Sequence, residues 1–350
     1  MTIIHLSSSL GGGGAEQMVL QLAKKSTPHI KTLVFSVSKD NTLEAQFKAQ
    51  NIECHFLNVT SFKNGTLIQG VKKLHEIINS LEDVVFHSHQ YHGFLIGLLY
   101  NLFYKKKPIV FTLHSSTIES ASRRLILFLT KPFRKVDIIF SSNAQKWFLK
   151  KGKIIPNGVD FDQLSIQKTR EQEITKPFVF LFLGRLSDEK NPLYMVTAAN
   201  QLLRNGITSF IFDVVGEGNQ KIELLRLISS EGLENHFNIL GFKSNIKPYL
   251  EASNCLILPS KWEGMPMVII EAAAAKLPII ATPVGSIPDF LNNENAYVSE
   301  IEEFHNAMVT CIQDYKKALL KTEVLYSEIK SKYNIDNVYQ THLKLYKCVV

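Results

Sequence analysis

What most limits the fold of this chain is a rhythm. Short, almost wholly apolar runs alternate with longer stretches of helical periodicity, and the rhythm starts twice. IIHLSS leads through a glycine loop into AEQMVLQLAKK, TLVFSV precedes NTLEAQFKAQN, and CHFLNV precedes TLIQGVKKLHEIINS. DVVFHSH, PIVFTLHSS and VDIIFSS follow, each ending in polar residues. The order βαβαβα predicts a mostly parallel sheet covered by helices on both faces. After the charged connector KTREQEITK the pattern restarts with FVFLFLG, then the helix YMVTAANQLLRNG with its glycine stop. FIFDVVGEG, FNILGF, NCLILPS and PIIATPVG repeat it.

A length of 350 residues suits two domains of ordinary size. The expectation is therefore α/β: two Rossmann-like, doubly wound domains over residues 1–165 and 176–330, joined near residues 160–176. An amphipathic helix over 331–350, ending KYNIDNVYQTHLKLYK, is expected to fold back on the first domain. In open α/β domains the residues just past the strand C-termini line the ligand crevice, which places the expected ligand in a cleft where two sets of strand ends face each other.

Composition removes several classes. An apolar fraction of 45% with 20% charged residues is that of a globular protein with sizeable cores. Cys54, Cys255, Cys311 and Cys348 are scattered, with no C-x-x-C pair, so reduced thiols in a cytoplasmic protein are expected. MTIIHLSSSL lacks the basic start and long apolar core of a signal peptide. The longest apolar run, Gly93 to Tyr104, is too short to cross a bilayer. The net charge of +7 is uneven: residues 1–175 carry 22 Lys and Arg against 13 Asp and Glu, the remainder 17 against 19. The excess gathers in Lys105–Lys107 and in SRRLILFLTKPFRK, Ser122 to Lys135. That second segment reads as a core helix with solvated ends, or else as a contact for an anionic membrane surface. No aromatic-interleaved basic stripe marks a nucleic-acid site.

Three stretches carry chemistry. In EGMPMVIIEAAAA, Pro266 suits the first turn of a helix, which is expected to begin near Gly264–Pro266. Unpaired first-turn amides and the helix dipole would favour a phosphate there. Glu263 would stand on the loop before the helix. Glu271, inside it and among alanines, would need partners such as a ribose diol. In GRLSDEKNP, Arg185 and Lys190 leave a buried strand within one turn and can neutralise a diphosphate. In SSSLGGGGAEQM, four glycines between strand and helix permit close approach of backbone to a ligand, although no dinucleotide fingerprint or P-loop follows. Each has a plainer alternative: Glu271 paired with a neighbouring backbone group or lysine, Glu263 solvated, and the cations in an ordinary surface loop. His114, His87, His89 and Asn157 read equally well as structural residues.

Taken in order, GGGGAE, DVVFHSH, FTLHSS, IPNGVD, GRLSDEKNP, VGEG, GF and EGMPMVIIEA resemble the retaining glycosyltransferases of family four, which have the two-domain GT-B fold and use nucleotide-sugar donors. The resemblance covers nearly the whole chain, and its two glutamates separated by seven residues are matched by Glu263 and Glu271. It implies that Arg185 and Lys190 bind the donor diphosphate and that Glu271 holds the ribose hydroxyls. It implies that Glu263 contacts the donor sugar, with Gly264, Met265 and Pro266 supplying backbone around sugar and phosphate. Gly12 and Gly13 would line the diphosphate, His114 would sit over the anomeric centre, and Gly216 and Glu217 would approach the base.

No D-x-D pair sits at a strand end, so transfer without metal or other cofactor is expected. The expected partners are a nucleotide-sugar, with UDP preferred and GDP open, and a glycan or lipid-linked acceptor in envelope or capsule polysaccharide assembly. Location at the inner face of the cell membrane would follow. A sugar-nucleotide epimerase of similar architecture is the alternative. A nicotinamide-dependent oxidoreductase is a weaker one, since the glycine fingerprint with its following acid is lacking.

Overall fold

A computed structural model describes every residue except 27–29, 63, 115–117, 119, 141–143 and 167–176. The connector KTREQEITK lies outside the described residues. The chain divides into two compact units, one of Met1–Gly158 with Ile335–Val350, the other of Val159–Asn334. The first crossing comes at 158 rather than 165, and the return at 335 rather than 331.

The first unit is built on seven strands: β1 (Thr2–Ser7), β2 (Lys31–Ser36), β3 (Glu53–Phe56), β4 (Val84–His89), β5 (Ile109–Thr112), β6 (Val136–Ile139) and β7 (Lys153–Ile154). They lie in the order β3-β2-β1-β4-β5-β6-β7, and every pairing is parallel. Helices α1 (Gly14–Ser26), α2 (Glu44–Ala49), α3 (Thr66–Ile78), α4 (Gln90–Phe103) and α5 (Ala121–Leu129) connect them. The strands read as apolar runs because both faces are covered: Ile4, Leu6, Phe35, Phe86 and Phe111 pack with α3 and α4, and Val34 with α1 and α2. The apolar run Gly93–Tyr104 is the body of α4, and no helix among the described residues is long and apolar enough to cross a membrane.

The second unit opens with α6 (Phe161–Leu164) and then runs β8 (Phe178–Leu183), α7 (Tyr194–Arg204), β9 (Phe210–Val215), α8 (Lys221–Ser230), β10 (Phe237–Gly241), α9 (Lys247–Ala252), β11 (Cys255–Leu258), α10 (Met267–Ala274), β12 (Ile279–Ala281), β13 (Tyr297–Val298), α11 (Phe304–Gln313) and α12 (Tyr315–Tyr333). Its parallel sheet has the order β10-β9-β8-β11-β12-β13. Phe178, Phe180, Phe182, Phe210 and Phe212 form the aromatic centre of its core. The last helix, α13 (Ile335–Val349), belongs to the first unit, where it packs on α1 and Lys25 pairs with Asp336 at 2.7 Å. In each sheet the strand order reverses once, between β1 and β4 and between β8 and β11. Ligands of doubly wound folds bind outside the carboxyl ends of the strands at such switch points.

Two local expectations change. The segment Ser122–Lys135 is not a core helix with solvated ends: of α5 only Leu127 is buried, and Leu125, Ile126, Phe128 and Leu129 face outward. Arg134, counted with the basic flank, is instead sealed inside, its Nε and Nη2 donating to Asp137 at 2.8 and 3.0 Å and its guanidinium lying over Phe94 and Phe111. The Lys150 amide also donates to Asp137, at 2.7 Å. Burial raises the Asp137 pKa while the paired arginine opposes that shift. Breaking one member of such a pair strands the other, so Asp137→Ala is expected to cost about 3–5 kcal/mol in urea unfolding. A loss below about 1 kcal/mol would mean that Arg134 is not dependent on its partner.

Candidate active site

The loops leaving β8 and β11 are the ones that carry GRLSDEKNP and EGMP. After β8 the chain makes a single helical turn at Asp188–Lys190 and stops in a left-handed residue, Asn191 (φ 53°, ψ 48°), whose side chain donates to the Pro259 carbonyl at 3.1 Å. That turn aims Lys190 across the switch point. Its Nζ lies 2.6 Å from both carboxylate oxygens of Glu263 and 3.6 Å from Glu189. Ser260 Oγ donates to the same carboxylate at 2.7 Å. Glu263 is only 2% exposed; burial raises its pKa, while Lys190 and Ser260 pull it back.

The pairing of Lys190 with Glu263 was not foreseen from sequence, which gave Lys190 to a diphosphate and Glu263 to a loop. Opposite charges in two separate loops are a weak signal until the topology makes those loops neighbours. Arg185 is different. It is exposed and its guanidinium has no partner among the described residues.

Helix α10 begins at Met267, with Pro266 as the residue before it rather than in its first turn, and no side chain caps it. The loop before it is held from the side: Gly285 (φ 61°) sits so close to the Glu263 carbonyl that a Cβ there would fall 1.9 Å from the oxygen. Ser286 Oγ donates to the Gly264 carbonyl and Thr282 Oγ1 to that of Ser260. Met265 lies in this same segment. The sequence expectation for the two glutamates is thus inverted, since Glu263 is the more enclosed. Glu271 is half-buried, and burial, the one cause acting on it, pushes its pKa up to about 7. Among the described residues neither a backbone group nor a lysine relieves it.

Gly216, after β9, lies on the loop after β8: a Cβ would meet the Gly184 carbonyl at 1.8 Å. The Leu186 amide donates to the Glu217 carbonyl at 3.0 Å, stitching the two loops, while the Glu217 side chain is paired with Lys221 at 2.8 Å.

In the first unit Gly12 (φ 94°) and Gly13 lead from β1 into α1, and Glu16 in its first turn is buried, accepting from Ser9 Oγ at 2.9 Å. His114 lies just past β5, at the mouth of a set of buried imidazoles. His5 Nδ1 is 2.9 Å from His89 Nε2, and His89 Nδ1 is 2.9 Å from His114 Nε2. His87 is bonded on both nitrogens, to Tyr346 Oη at 2.7 Å and Thr112 Oγ1 at 2.8 Å. Nitrogens of His5, His87 and His89 lie within 4.8 Å of one another.

This arrangement, two Rossmann-like sheets with cations and carboxylates at a switch point, is that of GT-B glycosyltransferases. Residues 12–163 match the family described as Glycosyltransferase Family 4, and residues 165–319 match Glycosyl transferases group 1. The chain belongs to glycosyltransferase family 4 and is a glycosyltransferase.

An Escherichia coli relative, UDP-Gal:alpha-D-GlcNAc-diphosphoundecaprenol alpha-1,3-galactosyltransferase, is 28% identical over 74% of this chain and 75% of its own length. A Campylobacter jejuni alpha-1,4-N-acetyl-D-galactosaminyltransferase acting on a GalNAc-containing diNAcBac-PP-undecaprenol is 27% identical over 78% of this chain and 76% of its own. The crystal structure of Anabaena HepE with UDP-glucose superposes with a TM-score of 0.84 at 21% identity, covering 99% of this chain and 100% of that one.

An acid whose pKa is higher folded than unfolded adds stability that is present at low pH and is lost as pH rises through the folded value. For Glu271 the loss falls between its ordinary value of 4.5 and about 7. Glu271→Gln should therefore raise the melting midpoint of the ligand-free protein at pH 8 by about 3 °C. That gain should shrink toward pH 5 in a scanning-fluorimetry series. An unchanged or lower midpoint at pH 8 would mean that Glu271 is not strained.

Proposed function

We propose that this chain is a retaining glycosyltransferase that moves a sugar from a UDP-sugar to a lipid-linked or glycan acceptor in the assembly of an envelope or capsule polysaccharide. The observation that carries this reading is the switch point of the second sheet. One cation, Lys190, is held in place by Glu263, and a second, Arg185, has no side-chain partner among the described residues. Breaking the anomeric C–O bond leaves positive charge on the sugar and negative charge on the departing diphosphate. Arg185, Lys190 and the first-turn amides of α10 stabilise that anion from fixed positions, the role a metal ion has in other transferases.

Glu271 accepts from the ribose hydroxyls, which supply the partners its carboxyl lacks. Glu263 and the backbone of Gly264, Met265 and Pro266 receive the sugar, and Gly216 and Glu217 approach the base. In the first unit Gly12 and Gly13 approach the diphosphate and His114 the anomeric centre. A front-face route, in which the leaving phosphate takes the acceptor proton, requires no protein nucleophile and leaves the anomeric configuration unchanged. The UDP-Gal donor and diphosphoundecaprenol-linked substrate in the name of the E. coli relative, and the UDP-glucose bound in HepE, support the choice of donor and acceptor.

The face of α5 suits an acceptor that resides in a bilayer. Leu129 is 63% and Trp147 58% exposed, and Phe128 stacks obliquely on Trp147 with ring centres 5.5 Å apart. Arg123, Arg124, Lys131 and Lys135 flank them, the Lys131 ammonium lying 4.7 Å over the Phe128 ring. Apolar residues amid cations are what an anionic lipid surface binds. Leu129→Glu with Trp147→Glu should abolish pelleting with anionic vesicles at low salt. Equal pelleting of wild type and variant, or none by either, would remove the membrane from the proposal.

UDP should raise the melting midpoint more than GDP, with or without a chelator, since a ligand of the folded state stabilises it. Arg185→Ala should keep wild-type stability and lose donor affinity. Lys190→Ala should lose more than about tenfold in kcat among folded molecules. Near-wild-type turnover in Lys190→Ala, or strict dependence on a divalent ion, would overturn the mechanism.

A further inference from the structure

Glu263 is a carboxylate almost without water, and one ammonium answers it. Lys190 Nζ stands 2.6 Å from each of its oxygens, and Ser260 Oγ donates to Oε1 at 2.7 Å. The other charge beside that ammonium is Glu189, 3.6 Å away and partly exposed. From the loop after β12, Thr282 and Ser286 bring no charge; their hydroxyls donate to the Ser260 and Gly264 carbonyls. Burial raises the Glu263 pKa, Lys190 and then Ser260 lower it, and Glu189 raises it again. In the ligand-free chain one cation thus balances one buried anion, with Glu189 at the margin.

A diphosphate docked on Lys190 upsets that balance. Glu189, Glu263 and the phosphates would converge on a single ammonium, and like charges so close raise the pKa of a neighbouring carboxylate. Arg185, which is exposed, can answer the phosphates, and so can water. Water cannot do the same for Glu263, which is 2% exposed. Of the anions gathered there, Glu263 is the one that neither solvent nor a second cation among the described residues stabilises. It is therefore the one that neutralises.

We propose that docking of the donor diphosphate on Lys190 draws a proton from solvent onto Glu263. One N–H of Lys190 turns from Oε2 to a phosphate oxygen, and the freed Oε2 takes the proton. Oε1 keeps its bonds from Ser260 and Lys190, so the ammonium stays where it is. The exchange alters the chemistry of both partners. A carboxylate only accepts, whereas the acid has an O–H to donate to a hydroxyl oxygen of the donor sugar. The lysine charge is no longer shared with a carboxylate when negative charge builds on the departing diphosphate, which is where it lowers the barrier. On product release the proton returns to solvent. The inference rests on the transferase reading above for the ligand, and on the second unit alone for the groups.

Titration calorimetry of the full chain at about pH 7.5, repeated in buffers of different ionisation enthalpy, reads the proton. UDP-glucose and UDP-galactose are the probes, because their diphosphate, unlike that of UDP, exchanges no proton of its own near neutrality. Glu271 releases protons when ribose hydroxyls hold it ionised, and that part is common to wild type and Glu263→Gln. Wild type should therefore take up about one proton more than Glu263→Gln per molecule bound. Since binding takes up a proton, the wild-type Kd should weaken as pH rises, by up to about tenfold per pH unit relative to Glu263→Gln. Glu189→Gln, which leaves Glu263 and its contacts in place and removes a neighbouring anion, should lose the uptake at a lower pH than wild type. Equal uptake by wild type and Glu263→Gln, or a pH range that Glu189→Gln does not move, would overturn the proposal and leave the donor reading standing. If neither UDP-sugar binds, the donor reading falls and this inference with it.

Discussion

A carboxylate almost sealed from water and a lysine brought to it from a separate loop set the geometry of the second unit. Lys190 and Glu263 lie 73 residues apart, on the loops that leave β8 and β11, and nearly everything else at that sheet edge is arranged around their contact. Such a pair adds little net stability, since desolvating two ions offsets most of their attraction. What it supplies is position. Neither member can leave without stranding the other, and Ser260, Gly285 and Ser286 fix the carboxylate side of the pair. A lysine held in this way has already lost its rotamer freedom on folding, so an incoming anion does not have to immobilise it.

The fold was legible because parallel sheets impose a composition. FVFLFL and TLVFS can be long and apolar only if both faces are covered, and their spacing by helical segments leaves little choice of architecture. The candidate site was legible as a set of residues but not as a set of contacts. Arg185, Lys190, Glu263 and Glu271 were all recognisable, yet pairing depends on which strands become neighbours, and the meeting of β8 with β11 is a property of sheet order. The same reason hid Arg134 with Asp137: a charge three residues from its partner looks solvated until the elements around it close. Conversely, α5 has the apolar content of a core helix, and only the packing reveals that most of its apolar side chains stay exposed.

The two units reach a polar strand edge by opposite means. The second keeps full charges and controls the buried one by pairing, while Arg185 and the carboxyl of Glu271 have no partner among the described residues. The first lines the strands at its switch point with neutral imidazoles, joined nitrogen to nitrogen and sheltered beneath α13, and keeps its buried ion pair, Arg134 with Asp137, on the more distant β6. A neutral hydrogen-bonded chain tolerates burial because most of its nitrogens are answered without an ion being desolvated, although Ser88 Oγ on the same strand has no partner among the described residues. This explains how a strand such as VVFHSH can be wholly buried at every position although half its residues are polar.

These strategies place the energetic tension where a ligand would relieve it. Glu271, with a pKa near 7 from burial alone, weakens the folded state at neutral pH. His114 Nδ1 is a buried atom without a partner among the described residues. Arg185 is an exposed cation just past a strand end. Evolutionary drift toward stability would be expected to replace the first two with apolar residues, since such replacements are locally favourable. Their presence in otherwise well-packed surroundings follows if the unpaired groups find their partners in a molecule with two adjacent hydroxyls, an anionic linker and further hydroxyls beyond it. A nucleotide-sugar carries groups of each of these kinds.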